Sequence, residues 1–273
     1  MDSVSVIIPT FNREKLLHRA LTSVFKQTHQ NFEVLVVDDG SIDETAAMIK
    51  KYFPQVRYFF QRNRGVSAAR NLGIKNAGGD LIAFLDSDDE WLPSKLEKQI
   101  QFLNSSSLSW VQSREKWIRQ GKEIVPGPKH QMISGMIFNQ SCELCLVSPS
   151  AVMMEKKLFK RYGMFDETLP ACEDYDFWLR ILAYEPIGLI EDPLTIHYGG
   201  HPDQLSQKYW GMDRFRIKAL VKILKMPLTA VQRQKVKEIL IFKLNVLAGG
   251  ALKRRKLFSF LKYGLLKFSK LFF

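Results

Sequence analysis

A 273-residue chain with 46% apolar and 25% charged residues is globular in composition, which excludes wholesale disorder, and no apolar run approaches the roughly 18 residues of a membrane-spanning helix. Its formal net charge of +12 sits in the last quarter, where residues 207–273 carry 17 of the 40 Lys/Arg and only two of the 28 acids. The first 206 residues are slightly acidic, like an ordinary enzyme, and the basic quarter asks for an anionic partner, either a membrane surface or a nucleic acid.

Strand and helix signals alternate over the first hundred residues. Val4–Pro9 (VSVIIP) is a continuous β-branched run, as in a buried parallel strand. Apolar spacing predicts a helix over Glu14–Gln27, and Phe32–Val37 (FEVLVV) predicts a second strand. Ser41 and Glu44 have capping-box spacing and are expected to open the next helix. A third strand at Val56–Phe60, a helix at Val66–Ala77 stopped by Gly78-Gly79, a fourth strand at Leu81–Leu85 and a helix at Pro93–Leu103 follow. Such βα repeats build an α/β fold, with a mostly parallel sheet flanked by helices and ligands at the carboxyl ends of the strands. Residues 104–150 are less regular, with a strand pair expected around Gly121. A strand at Ala151–Met154 and helices near Lys156–Tyr162 and over Asp174–Ala183 come next. From Asp203 the pattern is helical, with breaks expected at Pro227 and Gly249-Gly250. This divides the chain into a catalytic domain, 1–202, and a basic helical extension, 203–273. The three cysteines cannot form a disulfide framework, and a strand starting at Val4 leaves no room for a signal peptide, so a cytoplasmic location is expected.

Three acidic clusters carry the chemistry. Asp86-Ser87-Asp88-Asp89-Glu90 follows the fourth strand, and carboxylates at i and i+2 suit a hard divalent cation that keeps positions for phosphate oxygens. An isolated acidic turn would look similar, but this one ends a buried strand and has a second acidic strand end upstream. That second cluster is Asp38-Asp39-Gly40-Ser41, where one acid can accept from a base or ribose and the other can cap a helix. Thr10 and Asn12 close the first strand, where they could hold a nucleoside or, in the case of Asn12, cap a helix. The third cluster, Glu173-Asp174-Tyr175-Asp176, opens an aromatic helix. The macrodipole favours acids there, and the cluster also offers a general base.

The segments VSVIIPTFNRE, ALTSVFKQTHQNFEVLVVDDGSIDET, NRGVSAARNLGIKNAGGDLIAFLDSDDEW and GMFDETLPACEDYDFWLRI resemble, in order and spacing, the motifs of family 2 glycosyltransferases over about residues 3–200. The resemblance implies an A-type glycosyltransferase fold, a nucleotide-diphospho-sugar donor, a divalent metal (Mn or Mg) and inversion at the anomeric carbon. By motif, Thr10, Asn12 and Asp39 would hold the nucleoside, Asp86 would lie near the ribose, Asp88 would bind the metal and Asp174 would be the general base. Arg70 and Asn71 fall in the family's ARN signature, as ligand contacts or as braces of the sheet. In related enzymes a His in the segment that here holds His197 and His201 can complete the metal or diphosphate site. His201 is a candidate metal ligand or else a surface loop residue, and His197 is expected to be structural.

The expected reaction is metal-dependent inverting transfer to an acceptor hydroxyl, in cell-surface polysaccharide or glycolipid synthesis, with a saccharide or lipid-linked acceptor. Lys256–Phe273 reads as a basic amphipathic helix whose Leu/Phe half suits an anionic membrane surface, while Tyr263, Leu266 and Phe273 sit on its polar half. The enzyme would then lie peripherally on the inner face of the membrane. The competing packing is that helix against its own domain with a solvated Lys face. A nucleotidyltransferase would carry a Gly-rich loop where PTFNRE stands. A basic binding protein without catalysis would leave the acidic clusters unexplained, and acids near a phosphate backbone repel it, so no nucleic acid partner is expected.

Overall fold

The computed structural model describes residues 3–200 and 209–271. The first part alternates as expected: β1 (Val4–Thr10), α1 (Glu14–Val24), β2 (Phe32–Asp38), α2 (Thr45–Tyr52), β3 (Arg57–Phe60), α3 (Val66–Asn76) and β4 (Leu81–Phe84). Successive residues of β1 enter opposite apolar layers, Val6 and Ile8 on one face and Ile7 on the other, as the two-residue period of a strand requires. Both faces are covered, so the strand carries no polar alternation.

The remaining elements are β5 (Glu90–Trp91), α4 (Lys95–Ser105), β6 (Trp110–Arg119), β7 (Lys122–Ile124), α5 (Phe138–Glu143), β8 (Val152–Glu155), α6 (Lys157–Tyr162), α7 (Glu173–Leu182), β9 (Gly188–Gly199), α8 (Asp213–Ile223), α9 (Ala230–Lys253) and α10 (Leu257–Leu271). The described strands form one sheet in the order β3-β2-β1-β4-β8-β6-β9-β5, with β7 paired to β6. β3, β2, β1 and β4 are parallel; from β8 onward the sheet is mixed, with β8 antiparallel to β4 and β6, and β9 parallel to β6. The chain places β2 and β3 on one side of β1 and then returns to lay β4 on the other. The crevice opens at the carboxyl ends beside that reversal.

Three local expectations are corrected. Ser41 and Glu44 form no capping box: Asp43 Oδ1 accepts from the Thr45 backbone at 3.2 Å, while Ser41 Oγ accepts from the Asn12 backbone at 2.7 Å. The described capping box lies instead at Thr229 and Gln232, the start of α9. The Gly249-Gly250 pair does not break a helix. α9 runs through it, since two glycines at about 1 kcal/mol each are outweighed by the burial of Leu244, Leu247 and Ala251, and the turn falls at Arg254–Lys256. β9 is not among the strands that the sequence pattern predicts. Glu191-Asp192-Pro193 reads as a turn, yet the strand absorbs it through register shifts against Ser113–Glu115.

The helices after residue 213 are packed on the body. Phe215, Leu220 and Ile223 of α8 and Val236, Leu240 and Leu244 of α9 join the apolar cluster that holds Trp110 and Trp178. α10 rests on that cluster through Tyr263 and Leu266, the residues that broke its polar half. Leu257, Phe258, Phe260, Leu261 and Leu265 of its Leu/Phe half are exposed, Phe258 at 93% and Leu265 at 72%.

Candidate active site

Thr10, Asp39 and Asp86 stand at the carboxyl ends of the adjacent strands β1, β2 and β4, so the topology brings them to one crevice. A cavity of about 1160 Å³ opens there, and Thr10, Asn12, Asp39, Arg70, Asp86 and Asp88 all line it. Thr10 is buried, and its hydroxyl oxygen has no hydrogen-bond partner among the described residues. Asn12 sits at φ 52 and does not cap α1. Its Oδ1 accepts from the Ile42 backbone at 2.8 Å and ties the two strand-end loops together.

The two acids after β2 divide the work. Asp38 is structural: it accepts from the Ser41 backbone and from the Tyr58 hydroxyl, both at 2.7 Å. Asp39 accepts from Gln61 Nε2 and from the Arg64 and Gly65 backbones at 2.7–2.8 Å, so it shapes the 61–65 loop that walls the cavity. Gly40, at φ +93, has no room for a side chain, because a Cβ would lie 2.9 Å from the Asn63 backbone nitrogen.

After β4 three acids take three roles. Asp86 Oδ1 pairs with Arg70 at 2.7 Å, and Asp88 Oδ2 pairs with Arg13 at 3.0 Å. Burial, with the nearby charges of Asp89 and Asp86, pushes the Asp88 carboxyl up to about 6, against the pull of Arg13. Asp89 points back into the fold, where it accepts from Ser150 Oγ at 2.6 Å, the Tyr198 backbone at 3.1 Å and His197 Nδ1 at 3.1 Å. Fully buried Ser150 also accepts from the Asp86 backbone at 3.1 Å, and its carbonyl accepts from Trp91 Nε1 at 2.7 Å. Ser150 therefore fixes both ends of the acidic turn. Nothing in the sequence around Pro149-Ser150 marks it, because its partners lie 61 and 64 residues away.

Asp174 lies elsewhere. It lines a second cavity, of about 320 Å³, and not the first. The two cavities share Arg70, Asp86 and His197 as a common wall. The acids of the third cluster separate by partner. Glu173 pairs with Arg70 at 2.6 Å, and Asp176 pairs with Arg180 and Lys222 at 3.0 and 2.9 Å. Asp174 has neither; it accepts from the Tyr175 backbone at 2.7 Å and from Cys145 Sγ at 3.6 Å. Burial raises its carboxyl above the usual range. It stands in the first turn of α7, where a carboxylate is favoured by the helix dipole.

The ARN signature now has a physical reading. Arg70, 3% exposed, bridges Asp86 on one side of the wall to Glu173 on the other. Asn71 holds the 165–167 loop by donating to the Phe165 carbonyl at 2.9 Å and accepting from its backbone N–H at 3.0 Å. His197, expected to be structural, bonds Asp89 and also lines both cavities. Burial opposes its charged form, but the bond and charge of Asp89 prevail and push it up to about 9. His201 lies outside the described residues. Among the described residues no three His, Cys, Asp or Glu side chains converge on one metal position. The carboxylates of Asp86 and Asp88, each paired with an arginine, both line the first cavity, and two such oxygen donors fit an Mg²⁺ or Mn²⁺ ion completed by waters and phosphate oxygens.

Comparison with known proteins identifies the family and the fold. Residues 5–163 match the model of glycosyl transferase family 2. An Escherichia coli protein, UDP-Glc:alpha-D-GlcNAc-diphosphoundecaprenol beta-1,3-glucosyltransferase WfgD, is 33% identical over 194 residues, 68% of this chain and 72% of that one. An uncharacterized glycosyltransferase of Rickettsia felis is 38% identical over 194 residues, but this chain spans only 32% of its length. Among solved structures, Staphylococcus aureus TarS 1–349 with UDP-GlcNAc superposes with a TM-score of 0.71 at 25% identity, over 89% of this chain and 72% of that one. A mannosyltransferase from Pyrobaculum calidifontis, with GDP-Man and Mn²⁺, shares the fold with a TM-score of 0.64 at 16% identity, over 99% of this chain and 84% of that one. The helix-flanked sheet is thus an A-type glycosyltransferase fold, and the chain belongs to the family 2 glycosyltransferases.

Proposed function

We propose that the protein transfers a sugar, with inversion, from a nucleotide-diphospho-sugar in the first cavity to an acceptor hydroxyl in the second. One observation carries this reading: the candidate base Asp174 lines only the second cavity, and that cavity meets the first across Asp86 and Arg70. Thr10, Asn12 and Asp39 would hold the nucleoside, and Asp86 would lie by the ribose. Asp88, with Asp86, would hold a divalent ion, Mn²⁺ or Mg²⁺, and His201 is a further candidate ligand. When bound, such an ion neutralises charge on the departing diphosphate. Arg13, paired to Asp88 at the cavity rim, adds a protein cation there. Asp174 removes the proton of the acceptor hydroxyl as that oxygen attacks the anomeric carbon from the face opposite the leaving group. The new C–O bond forms as the C–O bond to phosphate breaks, and one displacement inverts the centre. No nucleophilic Ser or Cys is required.

The acceptor is proposed to be a saccharide on a lipid diphosphate, the class named for WfgD. Arg216, which lines the second cavity, would meet that anion. The product would enter a polysaccharide or glycolipid. No helix among the described residues is long and apolar enough to cross a membrane, so attachment would be peripheral, to the inner face, through α10. Leu257, Phe258, Leu261 and Leu265 leave an apolar strip in solvent, and Trp210 beside it has Arg214, Arg254 and Lys256 within 4.1–5.8 Å of its ring. Apolar burial and cations together suit an anionic interface. Transfer is tested by incubating the protein with UDP-glucose, Mn²⁺ and a short-chain GlcNAc-diphospholipid. A β-linked product from the α-linked donor supports the reading, and retention of configuration overturns it. Anchoring is tested by co-sedimentation with anionic and neutral vesicles. Full-length protein should bind anionic vesicles in a salt-sensitive way and a chain ending at Arg255 should not. Equal binding by both chains overturns the anchor.

A further inference from the structure

The second cavity contains an aromatic wall that the transfer chemistry does not use. Trp117, on β6, is half-buried and lines the cavity together with Asp174. Its indole is held in one orientation from three directions. His197 on the neighbouring strand lies 5.2 Å from it centroid to centroid, His130 meets it edge-on at 5.8 Å, and Nε1–H donates to Glu115 Oε2 at 3.0 Å. The other carboxylate oxygen, Glu115 Oε1, is enclosed and closes no hydrogen bond of good geometry among the described residues, although the Ser148 hydroxyl, also on the cavity wall, lies close enough to stabilise the carboxylate. Glu115 also lines this cavity. A fixed aromatic face beside an acceptor-only oxygen has a definite chemical complement: a ring with apolar C–H groups on one face and hydroxyls at its rim.

We propose that Trp117 is the platform of an acceptor subsite for one pyranose ring, with a sugar hydroxyl donating to Glu115. The proposal rests on the two-cavity reading above and assigns the acceptor side of it. Several features favour a sugar over a lipid tail. The volume, about 320 Å³, lies at the small end of ligand pockets and suits a single ring. The acids Glu115, Glu173 and Asp174 would be desolvated by an alkyl chain at a cost, whereas hydroxyls would satisfy them. The electron-rich face of an indole attracts the weakly positive C–H face of a pyranose. Ring stacking on Trp117 would set which acceptor hydroxyl points toward Asp174, so Trp117 would fix linkage as well as affinity.

The test is saturation-transfer NMR with the methyl glycosides of glucose, galactose, N-acetylglucosamine and rhamnose. UDP and Mn²⁺ are present at saturation so that the first cavity is occupied. At least one glycoside should receive magnetisation from aromatic protons of the wild type. Trp117→Ala should weaken that binding about tenfold or more, and Trp117→Phe should retain most of it. In the same variants, calorimetry should show unchanged affinity for UDP and for UDP-glucose, which also verifies the fold. Three results would overturn the proposal: no glycoside contact in the wild type, undiminished contact in Trp117→Ala, or a selective loss of UDP-glucose relative to UDP, which would place the donor's sugar on the ring. Failure of the wild type to bind any nucleoside diphosphate would instead count against the first-cavity reading and leave the glycoside result to decide this one.

Discussion

The two cavities differ in how the chain builds them. The larger is assembled mostly within the first 90 residues, from the ends of β1, β2 and β4, the loops that follow and the start of α3, and the 167–170 loop, His197 and Tyr209 complete its wall. The smaller gathers side chains from β6, the 128–149 segment, the start of α7, β9 and α8. A parallel sheet dictates the first: any residue just past a parallel strand faces the crevice, so position along the chain predicts position in space. Nothing so simple dictates the second. Its residues come from a mixed sheet and from irregular chain, where neighbours in space are distant in sequence. One site is thus written largely in local motifs, whereas of the other only the Glu173-Asp174 pair is, and the rest is written in tertiary structure.

Mutations on the two sides should separate accordingly. The largest effect is expected from Asp174→Asn, which should lower kcat by about 1,000-fold, in the range for a lost general base, while donor KM stays within about threefold. Near-normal turnover would place the base elsewhere and dissolve the division between cavities. Asp88→Asn should act on the other side, costing about 100-fold in kcat/KM with a raised metal requirement, as read from rates against Mn²⁺ concentration. Arg70→Met strikes the shared wall. It leaves Asp86 and buried Glu173 unpaired and should lower unfolding free energy by about 3 kcal/mol, measured in urea.

pH sharpens the same contrast. Burial, and then the charge of Asp174, raises Glu173 against Arg70, and burial also raises Asp174. Transfer needs the ionised base, so kcat should fall as pH drops through this raised range. The acid limb should lie above the ordinary Asp value of about 3.9. A limb at or below that value would mean that the group titrating is an exposed carboxylate. The smallest effect is expected from Ser150→Ala, which removes the hydroxyl joining Asp89 to the Asp86 backbone. A loss of about 1–2 kcal/mol in stability and a severalfold weaker Mn²⁺ response should appear together. Loss of stability alone would make Ser150 a packing residue only.

Legibility in the sequence followed the physics of each region. The βα order, the strand-end acids and the family were readable because buried parallel strands are unbroken apolar runs and their ends are fixed. The distinction between Asp38 and Asp39 came only from the family motif and not from the local pattern, since it depends on Tyr58 and on the 61–65 loop folding against opposite acids. Ser150 and Trp117 carried no local signal, because a hydroxyl or an indole gains its role from partners on other strands. The C-terminal helix was half legible. Its amphipathic pattern was visible, but the residues that dock it, Tyr263 and Leu266, looked like errors in the pattern until α9 supplied the surface they meet.

Nucleotide binding by three forms of the protein separates the two cavities most directly. Nucleoside diphosphates (UDP, GDP and dTDP, each with Mn²⁺) are titrated by calorimetry into the wild type, Asp88→Asn and Asp174→Asn. The nucleotide that binds the wild type should bind Asp174→Asn within about threefold and should bind Asp88→Asn at least tenfold more weakly. Loss of binding in Asp174→Asn, or full binding in Asp88→Asn, would contradict the separation of donor and acceptor chemistry across the Arg70–Asp86 wall.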